Sequence, residues 1–258
     1  MADCDELVKE SNKIKNLTVL ALVPNLKGAE RAIAAGARKL TMPPSASRTH
    51  GLNNIGKSPE EAIDEVERVC ALRDTLPVKQ RPEVEVGIST AFGCTLEGPV
   101  SEDRVIEMAG LLAKAGADSI GLSDTSGYAN PNQIKRMFRR LRSEIGTEKI
   151  ASAHLHNTRG QGLANVVAAL EEEVTTFDSS LGGLGGCPYA PGATGNIVTE
   201  DLVFMLEAMG LRTGIDIEAL IAAREVLLHG LPDEMIYGHL PEVGVPKGFT
   251  YAKARGPR

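Results

Sequence analysis

The sequence has no close cysteine pair, no basic cluster and no long apolar run, and each absence removes a class of function. Its four cysteines, Cys4, Cys70, Cys94 and Cys187, form no C-x-x-C pair, and no secretory segment with an apolar centre precedes them, so a reducing, cytoplasmic setting is expected. The apolar stretch at 17–23 stops at Pro24-Asn25, far short of the roughly 20 residues a membrane span needs, and no membrane partner is expected. Lysine and arginine are dispersed through a chain of net charge −6, which leaves no electrostatic footprint for nucleic acid.

What is present is alternation. At 258 residues the chain has the length of one large α/β domain. After an amphipathic opening helix containing Leu7, Val8 and Ile14, strand-like runs fall at 17–23, 38–42, 84–89, 119–122, 150–154 and 175–179. Helix-like segments separate or follow them at 28–35, 58–76, 101–115, 131–145, 160–172 and 199–209, several opening on Ser, Thr or Asn, or with proline just inside. Strands alternating with helices imply a parallel sheet. The stretches AIAAGARK (32–39) and AKAGADSI (113–120) each carry a helix into Ala-Gly-Ala before a strand, where glycine supplies a left-handed cap. Six strands fit either part of an eight-stranded TIM barrel or an open doubly wound sheet.

Three stretches carry chemistry. In Ala153-His154-Leu155-His156-Asn157-Thr158-Arg159-Gly160, two histidines stand two apart at a strand end, so the period of a strand puts both rings on one face. There they can bind one divalent cation, or one of them can be an ordinary packed histidine. The run from Gly182 to Asn196 holds six glycines in its first fourteen residues and encloses Cys187. It brings backbone close to a ligand but lacks both the P-loop ending and the dinucleotide spacing. A cysteine there is a proton donor or nucleophile, or is simply buried; Cys4, Cys70 and Cys94 fit a buried structural role. Asp124, in Ser123-Asp124-Thr125-Ser126-Gly127, either caps a turn or supports a ligand. His50, in a loop, and His229 and His239 are expected to be structural or exposed.

Taken together, His154-Leu155-His156-Asn157-Thr158-Arg159-Gly160, the Gly182 to Asn196 loop, the Thr199-Glu200-Asp201-Leu202-Val203 that follows, Val23-Pro24-Asn25-Leu26-Lys27-Gly28 and Ser123-Asp124-Thr125 resemble hydroxymethylglutaryl-CoA lyases, a TIM-barrel branch of the DRE metallolyases. The resemblance runs from the first residue to about Leu228. It implies a partial TIM barrel over 1–230 with an irregular C-terminal extension over 231–258. It further implies Mg²⁺ or Mn²⁺ held by His154, His156 and Asn196, proton transfer by Cys187 and His154, and support or substrate contacts from Asp124, Asn157, Arg159, Glu200 and Asn25. The activity implied is retro-Claisen cleavage of 3-hydroxy-3-methylglutaryl-CoA, or a related 3-hydroxyacyl-CoA, to acetyl-CoA and acetoacetate or a related keto product. A homodimer is implied in the same way.

The sequence departs from the family pattern in three places. The family opens on a strand with Arg-Asp-Gly, whose aspartate binds metal and whose arginine faces the developing enolate; this sequence begins after it, so about two strands and one metal ligand are expected to be missing. Asn157 and Arg48 stand where the family usually has Asp and Glu, both expected near the substrate mouth, which leaves room for a different 3-hydroxyacyl thioester. Glu172-Glu173 replaces Ala-Gly before a strand. Two other readings stay open: a condensing synthase or aldolase of the same superfamily, and an inactive fragment that only binds partners.

Overall fold

A computed structural model describes residues 3–186 and 195–253. Six strands, β1 (Leu20–Leu22), β2 (Lys39–Met42), β3 (Glu83–Ile88), β4 (Ser119–Asp124), β5 (Ile150–Leu155) and β6 (Phe177–Asp178), form one sheet. Every pairing is parallel, and the strands lie side by side in sequence order. The order never reverses, so the sheet has no switch point of the doubly wound kind and is traced as a barrel is traced. Among the described residues β1 pairs only with β2 and β6 only with β5, which makes the fold an open, partial TIM barrel.

Ten α-helices accompany the strands in the described residues: α1 (Cys4–Ser11), α2 (Leu26–Ala35), α3 (Arg48–Ile55), α4 (Pro59–Thr75), α5 (Glu102–Lys114), α6 (Pro131–Ile145), α7 (Gly162–Glu171), α8 (Thr199–Ala208), α9 (Ile217–Gly230) and α10 (Leu240–Val243). None is long and apolar enough to cross a membrane. Their starts are chemically marked. Ser58 and Glu61 close a capping box on α4, and Ser101 and Asn130 accept backbone N–H bonds at the heads of α5 and α6. In α6, Ile134, Met137, Phe138, Leu141 and Ile145 recur at helical spacing and are buried, giving the stripe that seats it beside α5 and α7.

The two faces of the sheet differ in kind. Leu40, Met42, Val84, Val86, Ile88, Ile120, Leu122, Ala153 and Leu155 are buried with the helix-borne core. The alternate residues Thr41, Glu85, Gly87, Ser123, Ser152 and His154 line an interior cavity, as the two-residue period of a strand requires. Gly121 is needed between β4 and β5, because a Cβ there would come within 2.4 Å of the Ser152 carbonyl oxygen.

The structure adds helices where the sequence pattern shows none. α3 is short, and α9 lacks a clear apolar stripe: Ile217 alone in it is buried, while Val226 and Leu228 are exposed. The segment after 230 is mostly irregular but contains α10. Through Leu240, Val245 and Phe249 it joins Val203 of α8 and Ile217 of α9 in a small second core.

The Glu172-Glu173 departure has a structural account. At the end of α2, Gly36 takes φ +95° while its N–H bonds the Ile33 carbonyl and Ala37 bonds Ala32. At the end of α7 the same pair of bonds recurs, Glu173 to Leu170 and Val174 to Ala169, with Glu173 at φ +62°. A glutamate therefore occupies a left-handed position that suits glycine. Its neighbour Glu172 is buried and takes a two-pronged bond from Arg139 at 2.9 and 2.6 Å, tying α6 to α7. Since the Glu173 carboxylate is exposed and 3.7 Å from Arg142, its ion pair contributes little. Glu173→Gly is expected to stabilise the fold by about 1 kcal/mol and raise the melting temperature by about 2–4 °C; an unchanged or lower melting temperature contradicts the assignment.

Candidate functional site

The interior cavity, about 540 Å³, is lined from all six strands and from α3. His154 and His156 project from one face of β5 and its end, and both line the cavity. Their Nε2 atoms lie 3.1 Å apart, with the rings edge to face at 72°. The register of the last strand pair sets Asp178 beside His154, and its carboxylate bonds His154 Nδ1. With the Nδ1 proton held by a carboxylate, Nε2 of His154 is the lone-pair nitrogen, the tautomer a metal-binding histidine uses. Burial pulls His154 towards the neutral form, but Asp178, with Asp124 behind it, outweighs this and leaves its pKa above the ordinary imidazole value.

The glycine-rich loop returns to the same place. Asn196 bridges to His156, and the flanking backbone follows it, with Asn157 N–H donating to Gly195 O and Ile197 N–H to Leu155 O. The Asn196 amide nitrogen donates to Leu184 O at 3.0 Å, which turns its Oδ1 the other way; that oxygen is buried without a hydrogen-bond partner. Gly185, at φ +94°, permits the approach, since a Cβ there would meet the Asn196 amide at 3.0 Å. Two imidazole nitrogens beside a residue whose amide oxygen is buried and unpartnered are a donor set that a divalent cation fits. Among the described residues no three His, Cys, Asp or Glu side chains are placed to hold a metal ion, so a third donor would be an amide. Cys187 lies outside the described residues.

The other expected residues are placed by their bonds. Asp124 shares the helix-side face of β4 with Ile120 and Leu122, and its Oδ1 accepts from Tyr128 N–H at 2.8 Å and Ala129 N–H at 3.1 Å, capping the turn after β4. Arg159 donates to Ser126 O and Gly127 O, both at 3.0 Å, and stacks 4.6 Å over Tyr128, fastening that turn to the loop after β5. Asn157 points away from the histidines and accepts from Gly162 N–H at the head of α7. Asn25 caps α2 through Gly28 N–H. Glu200, fully buried, accepts from Gly182 N–H and from Arg224 at 2.8 Å, holding the base of the glycine loop from behind. Arg48 opens α3, is exposed and pairs with Glu60 at 2.6 Å.

Two residues of the site escape the sequence reading. Asp178 depends on strand register; the one signal in the sequence is an acidic residue ending the strand that leads into the glycine loop. His50, read as a loop residue and structural or exposed, is instead buried on α3 and lines the cavity. Its Nδ1 lies 3.0 Å from Ser45 Oγ.

Burial raises the Asp124 pKa to about 6, against the pull of the Ala129 and Tyr128 amides, Arg159 and His154. A carboxyl whose folded pKa is raised gives its full stability only below its unfolded value near 4, and that stability is lost as the pH rises through about 6. Asp124→Asn keeps an acceptor oxygen for both amides and does not titrate. The melting-temperature difference between variant and wild type is expected to move in the variant's favour from about pH 4.5 to about pH 7.5; a difference constant with pH contradicts it.

Comparison with known proteins agrees with the fold. A family profile described as HMGL-like matches residues 1–227. The hydroxymethylglutaryl-CoA lyase YngG of Bacillus subtilis is 39% identical over 223 residues, 86% of this chain and 73% of that protein. The human mitochondrial hydroxymethylglutaryl-CoA lyase is 37% identical over 231 residues, 90% of this chain and 70% of that protein. An HMG-CoA lyase of Acinetobacter baumannii, solved with coenzyme A and 3-methylmalate, superposes with a TM-score of 0.87 at 38% identity, over 96% of this chain and 79% of its own. With this family match, these relatives and the partial barrel, the chain belongs to the HMGL-like family and is a lyase.

Proposed function

We propose that the chain cleaves 3-hydroxy-3-methylglutaryl-CoA, or a closely related 3-hydroxyacyl-CoA, to acetyl-CoA and acetoacetate or the corresponding keto product. The observation that carries this reading is the pairing of His154 Nε2 and His156 Nε2, 3.1 Å apart in a cavity that Asn196 also lines, the Asn196 Oδ1 being buried without a hydrogen-bond partner. The coenzyme A and 3-methylmalate bound by the Acinetobacter relative support it, since 3-methylmalate offers a hydroxyl beside carboxylates, the chelating pattern of a 3-hydroxy acid.

His154, His156 and Asn196 would hold Mg²⁺ or Mn²⁺, which when bound supplies a Lewis acid for the substrate's hydroxyl and carboxylate oxygens. The remaining work belongs to side chains and shape. The hydroxyl loses its proton, the bond between the hydroxyl-bearing carbon and the thioester α-carbon breaks with its electron pair going to the α-carbon, and a proton then reaches that carbon. The proton movements fall to His154 and Cys187 in this reading. With Nε2 of His154 committed as a ligand, the proton it can move is the one on Nδ1 shared with Asp178, so Asp178 fixes the ring and shares its charge. The polar lining of Ser89, Ser123 and Thr125 offers hydrogen bonds to the oxygen-rich substrate while the apolar core stays behind the sheet.

The test is release of acetoacetate from 3-hydroxy-3-methylglutaryl-CoA by the purified chain, with Mn²⁺ binding followed separately by electron paramagnetic resonance. His156→Ala is expected to abolish both, and Asp178→Asn to weaken Mn²⁺ by about 10- to 100-fold. Turnover that survives chelation and His156→Ala, or a protein that only condenses the two products, overturns the reading.

A further inference from the structure

Below His154 the inner face of the sheet is bare at two adjoining positions. Gly87 of β3 and Gly121 of β4 are direct partners in the parallel register. By the two-residue period of a strand both face inward, Gly87 with Glu85 and Gly121 with Ser123. A barrel interior ordinarily carries branched side chains at such positions. The two glycines have different reasons. Gly121 is held to glycine by the Ser152 carbonyl oxygen, which a Cβ would meet at 2.4 Å. Gly87 has no such constraint: it is not among the glycines of positive φ, and a Cβ there would meet only Ser123 Oγ, at 3.3 Å. Since neither backbone conformation nor close packing requires glycine at this position, what it supplies is room.

The notch so formed has a polar floor. Glu85 lies two residues below Gly87 on the same face, about 7 Å down the strand, and lines the cavity although it is nearly buried. One of its carboxylate oxygens takes Lys39 at 2.7 Å and the other the Ser152 hydroxyl at 2.9 Å, which answers the charge and leaves each oxygen a second lone pair. Lys39 is shared with Glu83 at 3.1 Å, so two carboxylates face one ammonium and a third carboxylate would be repelled. A second ammonium would enter a site whose one buried carboxylate is already paired. An uncharged hydrogen-bond donor suits this floor.

Resting on the proposed acyl-CoA lyase reading, we propose that Gly87 and Glu85 set the choice of substrate: the cavity takes a 3-hydroxyacyl-CoA whose hydroxyl-bearing carbon carries, in place of methyl, a short chain ending in a hydroxyl. The chain passes over Gly87 and its terminal hydroxyl donates to Glu85. Ser123 stands beside His154 in the β4–β5 register and beside Gly87 on its other side, so a single residue separates the histidines from the notch. A methyl group leaves the notch to water. An alkyl chain fills it but takes water from Glu85 and returns no donor, whereas a hydroxyl-ended chain does both. Cleavage proceeds as before, and the chain departs on the keto product.

The test uses CoA thioesters that carry methyl, butyl, 3-hydroxypropyl or 2-carboxyethyl at that carbon, together with their thioether analogues, which lack the thioester carbonyl and bind without being cleaved. With Mn²⁺ present, kcat/KM for the thioesters and Kd for the analogues by calorimetry are measured on wild type, Gly87→Ala and Gly87→Val. Wild type is expected to favour 3-hydroxypropyl over its isostere butyl by about tenfold in both readouts, the worth of one buried hydrogen bond, with 2-carboxyethyl poorest. Gly87→Ala should shrink that preference and Gly87→Val should remove it by filling the notch, while the methyl compounds keep their values within about threefold; where Gly87→Val does not fold, Gly87→Ala decides. No preference for 3-hydroxypropyl in wild type, a preference undiminished in Gly87→Ala, or 2-carboxyethyl favoured overturns the assignment. If no thioester is cleaved while the analogues still rank 3-hydroxypropyl first and Gly87→Ala weakens that rank, the lyase reading fails and the notch stands; if all four thioesters are cleaved alike, the lyase reading stands and the notch fails.

Discussion

The bond between Asp178 and Nδ1 of His154 is the constraint on which the site depends. It exists because β5 and β6 pair in a register that sets these two residues side by side. The carboxylate selects the tautomer, the tautomer aims a lone pair at His156, and the returning loop brings Asn196 to the same wall. Each step is geometric, and each uses a different level of structure: register, side-chain hydrogen bonding, then loop closure. A slip of one residue in β6 would turn Asp178 to the helix side and leave His154 without its orienting partner.

Seen from the whole fold, the sheet separates two environments. Its outer face is an ordinary apolar core, shared with the helices. Its inner face, apolar at Leu20 and Leu22 of β1, otherwise carries hydroxyls, carboxylates and imidazoles that a packed barrel interior would not hold. Lower on the inner face, Glu85 is nearly buried yet answered by Lys39 at 2.7 Å and Ser152 at 2.9 Å, so the polar lining continues below the histidines without leaving that charge unpaired.

How much of this could be read from the sequence follows from the range of the forces involved. The six strands and most helices are written in local periodicity and caps, and so is the shared face of His154 and His156, because a strand's period is two. Asn196 and Glu200 are reached by family resemblance; their roles as loop neighbour and loop anchor depend on where a long turn comes back. Asp178 and His50 belong to contacts between elements 24 and 5 residues apart in the chain, set by strand register in the first case and by an unforeseen short helix in the second. α9 was illegible because its apolar residues do not gather on one stripe. The Glu173 position shows the reverse: the repeated Ala-Gly-Ala signal was visible, and the structure shows a third copy of that turn made with the wrong residue.

The anchoring of Gly182 reaches further along the chain than the loop itself. Glu200 takes its N–H, Tyr237 N–H donates to its carbonyl at 2.7 Å, Arg224 joins Glu200 to the Tyr237 carbonyl, and a Cβ on Gly182 would press on Ile236 at 2.9 Å. Loop base, α9 and the segment after it are therefore one mechanical piece. Anyone exchanging glycine loops between members of this family would have to carry Arg224, Ile236 and Tyr237 with the graft, because the hinge of the loop is written some fifty residues downstream of where it bends.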